Sequence, residues 1–168
     1  HAGLDRCPAF AGSVKLLRFP ELSRRNLRNF FTLREDLSPE MRGLPAQLEK
    51  ENFPVELVSA EQIHGSGVAK VGWAEAGKVI PAVDALITKE KGLTLVVRVA
   101  DCGPVWLHCD KTGAIGLVHS GRKGTELGIV PATIRAMSKE FGADPACMLG
   151  FLDRKSTRLN SSHANISY

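Results

Sequence analysis

The stretch Leu93–Cys102 (LTLVVRVADC) constrains the fold most. It is rich in β-branched residues and almost continuously apolar, the pattern of a strand covered on both faces. Arg98 is its one interruption, and Pro104 just beyond it is expected to break the ladder, so Asp101 and Cys102 fall where a strand ends. Val105–Cys109 (VWLHC) resumes as a strand, DKTG reads as a hairpin turn, and Ala114–His119 (AIGLVH) returns with His119 as its last residue. SGRKG then reads as a loop. TELGIVPATIRAMSKEFG reads as a helix with Thr125 as its cap and Gly142 past its end. Leu127, Val130, Ile134, Met137 and Phe141 share one face of that helix, and Pro131 predicts a kink near its start.

Upstream the signals are shorter. Ser13–Phe19 alternates as a strand that Pro20 stops. Ser38 and Pro39 open a helix that Gly43 and Pro45 interrupt, with a second helical piece over Ala46–Asn52. Val55–Ala60 is a strand with Val55, Leu57 and Ser59 on one face and Glu56, Val58 and Ala60 on the other. Val68–Trp73 and the apolar part of VDALITKEKG give two further short strands.

With 168 residues, the chain has room for one domain with a sizeable core. Its 43% hydrophobic and 24% charged content is that of a globular chain, and no apolar run is long enough to span a bilayer. No secretory signal is visible, but the first residue is His1 and not Met. Cys7, Cys102, Cys109 and Cys147 are irregularly spaced and suggest reduced thiols and a cytoplasmic setting. The final Asp153–Tyr168 (DRKSTRLNSSHANISY) resembles a translated sequencing adapter; its bland alternative is a polar, disordered tail. The expected division is therefore one domain over residues 1–152, incomplete at both ends, and a non-native tail over 153–168. Leaving out Arg154, Lys155, Arg158 and Asp153 lowers the net charge from +4 to +2, which removes most of the case for a nucleic-acid partner.

Three residues carry the strongest chemistry. Cys102 follows an acid and precedes Gly-Pro; His119 closes an apolar strand; His64 lies among glycines in EQIHGSG. Each has an ordinary reading, a small buried hydrophobe for the thiol and a hydrogen-bonded core residue for either histidine. Together they form a Cys/His/His set that suits zinc, whose catalytic sites take three protein ligands and leave a fourth position open. The same thiol and imidazole also suit a cysteine hydrolase, with Cys102 as nucleophile and His119 as base. The loop Gly121-Arg122-Lys123-Gly124-Thr125 offers backbone N–H groups, two cations and a following helix start, the parts of an anion site. It is not a P-loop, because Gly116 lies within a strand and Lys-Ser/Thr is absent. Arg24, Arg25, Arg28 and Arg34 read first as a solvated face and second as a phosphate site.

Gln62-Ile63-His64-Gly65, Asp84-Ala85-Leu86, Ala100-Asp101-Cys102-Gly103-Pro104 and His119-Ser120-Gly121-Arg122-Lys123-Gly124 resemble, in order, motifs of the YfiH-type family. That family was first labelled laccase-like multicopper polyphenol oxidases and later purine nucleoside phosphorylases. The resemblance covers about Val55 to Leu152. It implies an α/β fold, an αββα layered sandwich of mixed sheets flanked by helices. It implies His64, Cys102 and His119 as metal ligands, with zinc favoured and copper the alternative. It also implies an enzyme acting on purine nucleosides (adenosine, inosine, methylthioadenosine) and phosphate, with adenosine deamination as a second activity; apart from the resemblance, the chain is expected to be a cytoplasmic monomer without membrane or nucleic-acid partners. Gly121–Thr125 would meet phosphate or substrate, and Asp101 and Arg34 would assist. The rivals are a copper-dependent polyphenol oxidase and a non-enzymatic nucleotide-binding module. The chain departs from the family where Trp-Arg is replaced by Arg122-Lys123, where Leu33-Arg34-Glu35-Asp36 stands for Thr-Arg-x-Gly-Gly, and after Leu152, where Gly-Pro-x-Ile-Gly is expected to be missing. The resemblance thus implies a chain that binds metal poorly or is inactive as written.

Overall fold

The computed structural model describes residues 16–17, 19–23, 27–33, 48–50, 52–152 and 161–167. Its elements begin with β1 (Leu16–Leu17), α1 (Pro20–Ser23), β2 (Arg28–Leu33), β3 (Glu56–Ala60), β4 (Val68–Lys70), β5 (Val79–Ile80), β6 (Ala85–Thr88) and β7 (Leu93–Arg98). They continue with β8 (Gly103–Cys109), β9 (Ala114–Ser120), α2 (Arg122–Glu126), α3 (Ile129–Phe141), β10 (Met148–Leu152) and β11 (Ser161–Ser167). The helix expected from Ser38 and the candidate residues Arg24, Arg25 and Arg34 lie outside the described residues. Of the expected helical piece over Ala46–Asn52, residues 48–50 are helical.

Two mixed sheets lie face to face. The first has the order β1-β2-β11-β7-β3-β5, the second β10-β8-β9-β6-β4. Val58, Leu93, Leu95 and Val97 of the first pack on Leu86, Trp106, Ile115 and Leu117 of the second. Each such side chain stabilises the fold by roughly 1.5–3 kcal/mol when fully buried. The outer face of the second sheet is closed by α3, whose Ile129 and Met137 meet Ile87, Leu107 and Val118. On the outer face of the first, Leu48 and Phe53 pack on Phe30. The result is the expected αββα layering, with the two-sided burial of β7 as its centre: Leu93–Val97 are buried without a break.

The structure corrects four local expectations. β7 stops at Arg98, and Cys102 sits in the bend before β8 rather than on a strand end. Pro104 does not break the ladder but lies within β8, opposite His119. On its other side the described pairing of β8 with β10 covers Val105–Cys109. The SGRKG segment is largely helical: α2 begins at Arg122, and Thr125 donates its hydroxyl proton to Gly121 O at 2.8 Å instead of capping the long helix. That helix begins only at Ile129, after Gly128 turns the chain at φ 73°. Pro131 therefore falls in the first turn, where no N–H is needed, and Leu127 is exposed rather than on the packed face. The buried stripe of α3 is Ile129, Thr133 and Met137.

Ser161–Ser167, within the segment expected to be foreign to the domain, forms β11 and pairs antiparallel with β2 on one side and β7 on the other. Among the described residues no helix is long and apolar enough to cross a membrane.

Candidate metal centre

The ends of β3 and β7 in one sheet and of β9 in the other meet at a single edge of the sandwich. His119 comes from β9 and is 4% exposed. Pairing of β8 with β9 sets its place, opposite Pro104. Cys102 enters half-buried from the β7–β8 bend. His64 enters exposed from the segment that leaves β3. Their ligand atoms all lie within 4.8 Å of one another. The two imidazoles meet edge to face, with centroids 4.9 Å apart and planes at 79°.

Asp84 organises the two histidines. It lies just before β6 and is fully buried. One carboxylate oxygen accepts the His64 N–H at 2.9 Å and faces His119 Nδ1 at 2.8 Å; the other accepts the Gly65 N–H at 2.8 Å. The main-chain carbonyl of Asp84 also takes the His119 N–H at 2.7 Å. An ionised carboxylate only accepts, so the His119–Asp84 bond places a proton on Nδ1, and the neutral form of that tautomer has Nε2 as its metal-binding atom. This carboxylate–histidine arrangement orients ligands in zinc sites. The sequence reading matched Asp84 to a motif but gave it no role. The available signal was an acid opening an apolar strand.

The backbone around His64 is held in costly conformations. Gln62 has φ 65° and His64 φ 62°. Left-handed conformations cost non-glycine residues about 1–2 kcal/mol each. They persist because the segment is tied down: Gln62 N–H to Val83 O at 2.9 Å, Glu61 carboxylate to Ala82 N–H at 2.7 Å, and the two bonds to Asp84.

Two glycines let the pieces approach. A Cβ on Gly121 would stand 2.8 Å from Cys102 Sγ and 3.5 Å from the His64 ring. A Cβ on Gly124 would press Gly65 O at 3.1 Å. Both glycines are buried, whereas Arg122 and Lys123 reach into solvent. Arg122 is 94% exposed and its Nε lies 3.7 Å from Glu126, a contact of little energetic weight. Asp101 is exposed beside Cys102. Burial first, and then the negative charges of Asp101 and Asp84, push the Cys102 thiol above its ordinary pKa.

One thiol and two imidazoles are donors that zinc favours, and a tetrahedral zinc holds such ligand atoms about 3.3–3.8 Å apart. The three ligand atoms, all within 4.8 Å of one another, are grouped closely enough to share one ion. The space left by the missing Gly121 side chain and the preset His119 tautomer both fit a metal ion. Among the described residues this is the one such cluster of histidine, cysteine and acidic groups.

Residues 41–152 match the family described as multi-copper polyphenol oxidoreductase laccase. A purine nucleoside phosphorylase of Streptomyces coelicolor is 45% identical over 93 residues, 55% of this chain and 38% of that protein. Another, from Corynebacterium glutamicum, is 46% identical over 94 residues, again 55% of this chain and 38% of the relative. The chain thus spans well under half the length of these relatives. The crystal structure of YlmD from Geobacillus stearothermophilus superposes with a TM-score of 0.61 at 29% identity, covering 64% of this chain and 43% of that one. The Bacillus licheniformis protein YfiH superposes with a TM-score of 0.73 at 20% identity, over 84% of this chain and 62% of its own, a likeness of fold.

Proposed function

Since the chain belongs to the family described as multi-copper polyphenol oxidoreductase laccase, we propose that it is the metal-site portion of a zinc-dependent purine nucleoside phosphorylase acting on adenosine, inosine and methylthioadenosine, with adenosine deamination as a second activity. The observation that carries this is the convergence of His64, Cys102 and His119 within 4.8 Å, with Asp84 fixing one imidazole. The names of the curated relatives supply the substrate class and reaction.

When bound, the zinc ion supplies Lewis acidity that polarises a substrate atom or activates water for attack. The protein's share is orientation. Asp84 holds His119 so that its Nε2 lone pair faces the site, and it pins the backbone of His64 against the same point. Cys102 contributes a thiolate once its raised pKa is overcome by exchange of the proton for a cation. In phosphorolysis a phosphate oxygen forms a bond to ribose C1′, the C1′–N9 bond breaks, and its electron pair leaves with the purine, which takes up a proton. In deamination water adds at C6 of the adenine ring and ammonia leaves. We place phosphate against Gly121–Thr125, where Arg122 and Lys123 attract it and the start of α2 presents backbone N–H groups. The Thr125 hydroxyl is committed to Gly121 O and accepts from Ser120, so backbone and cations carry that role. Asp101 tunes the thiol. Arg34 is proposed, on the resemblance alone, as a further phosphate contact.

The test is phosphate-dependent release of adenine from adenosine and hypoxanthine from inosine, alongside inosine formation from adenosine, by the zinc-loaded domain completed with the segments that its longer relatives carry. Activity that disappears in Cys102→Ala supports the reading. Zinc-loaded, folded protein that turns over no nucleoside contradicts it. Copper uptake with phenol oxidation would favour a polyphenol oxidoreductase instead.

A further inference from the structure

The triangle of ligands has three sides, and two are already accounted for. Asp84 joins His64 to His119, and the β8–β9 ladder joins the neighbours of Cys102 to His119. The third side, from His64 to Cys102, spans two loops that leave parallel strands of the same sheet. The main-chain pairing of β3 with β7 ends at Ser59 and Val96. Two residues later on β7, the main chain of Arg98 faces the β3 side with no strand opposite it.

Gln62 fills that place with its side chain. Its Nε2–H donates to Arg98 O at 2.6 Å, and Arg98 N–H donates to Gln62 Oε1 at 2.7 Å. One primary amide thereby reproduces the reciprocal pair of bonds that a strand neighbour would make. It does so from a residue at φ 65°, a conformation that costs energy unless the surroundings enforce it. His64 is two residues after Gln62, and Cys102 is four residues after Arg98.

We infer that Gln62 is a positioning residue for the metal centre: its amide bridge to the Arg98 main chain fixes the separation of His64 from Cys102. Gln62 does not touch the metal or the substrate. It acts by holding two loop-borne ligands in register, as partners behind a ligand set do in other metal sites. The inference rests on the metal reading given above.

The bridge has consequences that a merely stabilising contact lacks. Gln62→Met keeps the side-chain length and the backbone strain and removes both polar atoms. Cobalt(II) affinity, measured by competition with a chromophoric chelator, is expected to fall by about tenfold or more. The thiolate-to-cobalt absorption is expected to weaken, reporting Cys102 leaving the metal, while the thermal midpoint of the metal-free protein changes little. Amide hydrogen exchange on the metal-free wild type gives a second reading that needs no variant: the Arg98 N–H should be protected. Unchanged cobalt affinity and absorption in Gln62→Met would overturn the inference, as would rapid exchange at Arg98. A variant that does not fold would overturn it too, since the bridge would then be a requirement of the fold and not a brace of the site. Wild-type protein that takes up no cobalt contradicts the metal reading itself, an outcome distinct from any of these.

Discussion

The three ligands reach the same point by two routes. His119 arrives on a strand; His64 and Cys102 arrive on loops. On β9 the residue is 4% exposed, its main chain is set by the β8 ladder, and its ring is held by a buried carboxylate. Across the site, His64 is exposed, Cys102 is half-buried, and neither has a ladder to hold it. Their order comes from side chains that bond to backbone: Asp84 to residues 64 and 65, and Gln62 to residue 98. The strand-borne half therefore owes its geometry to the fold, whereas the loop-borne half owes it to a few polar braces. Changes to the first should cost stability and site together. Changes to the second should cost the site alone.

Removing the one residue that serves both halves has the largest expected effect. Asp84→Ala strips the partners from His64 N–H, Gly65 N–H and His119 Nδ1 at once. An unsatisfied buried donor costs about 1–3 kcal/mol, and the two part-buried amides add less, so urea unfolding should show a loss of about 2–3 kcal/mol together with loss of metal binding. Next comes a change confined to the loops. Gly121→Ala would set a methyl 2.8 Å from Cys102 Sγ. Isothermal titration should show zinc affinity reduced by about 10–100-fold, with thermal stability altered far less than by Asp84→Ala. Equal loss of stability in the two variants would erase the distinction drawn between the halves.

A finer probe is the Cys102 thiol. Burial and two neighbouring carboxylates hold its pKa above the ordinary range, so in metal-free protein it is mainly thiol at neutral pH. Because only the thiolate is nucleophilic, alkylation by iodoacetamide should rise at a higher pH than for an unperturbed cysteine. Asp101→Asn removes one of the negative charges, lowers the pKa, and should shift that profile to lower pH, as read by peptide mapping of Cys102. An unshifted profile would remove Asp101 from the account. The smallest effect on the fold is expected at Arg122, which is 94% exposed. Arg122→Ala should leave stability within about 0.5 kcal/mol. Its effect should appear instead as a higher KM for phosphate in the nucleoside assay.

The same division explains what could be read from the sequence. β7 was legible because two-sided burial leaves a nearly continuous β-branched run, and β8 and β9 because a turn separates two apolar runs. His64, Cys102 and His119 stood out through their motifs, and the structure brings all three together. What escaped the sequence was what depends on partners far along the chain. Asp84 meets residues 19, 20 and 35 positions away, and Gln62 meets one 36 away, with nothing local to announce either contact. Pro104 reads as a strand breaker, yet the β8–β9 ladder runs through it. The Gly121–Thr125 turn reads as a loop because Gly124 is a poor helix former, yet Arg122–Glu126 is helical and Gly124 stands where a Cβ would lie 3.1 Å from Gly65 O.

The central claim is that one metal ion joins a loop thiolate to two imidazoles. X-ray absorption spectroscopy of the chain reconstituted with one equivalent of zinc tests it most directly. The account predicts one sulfur at about 2.3 Å and two imidazole nitrogens at about 2.0 Å, with the sulfur shell lost in Cys102→Ser. Zinc bound without sulfur in the wild type, or a spectrum unchanged by that substitution, would contradict it.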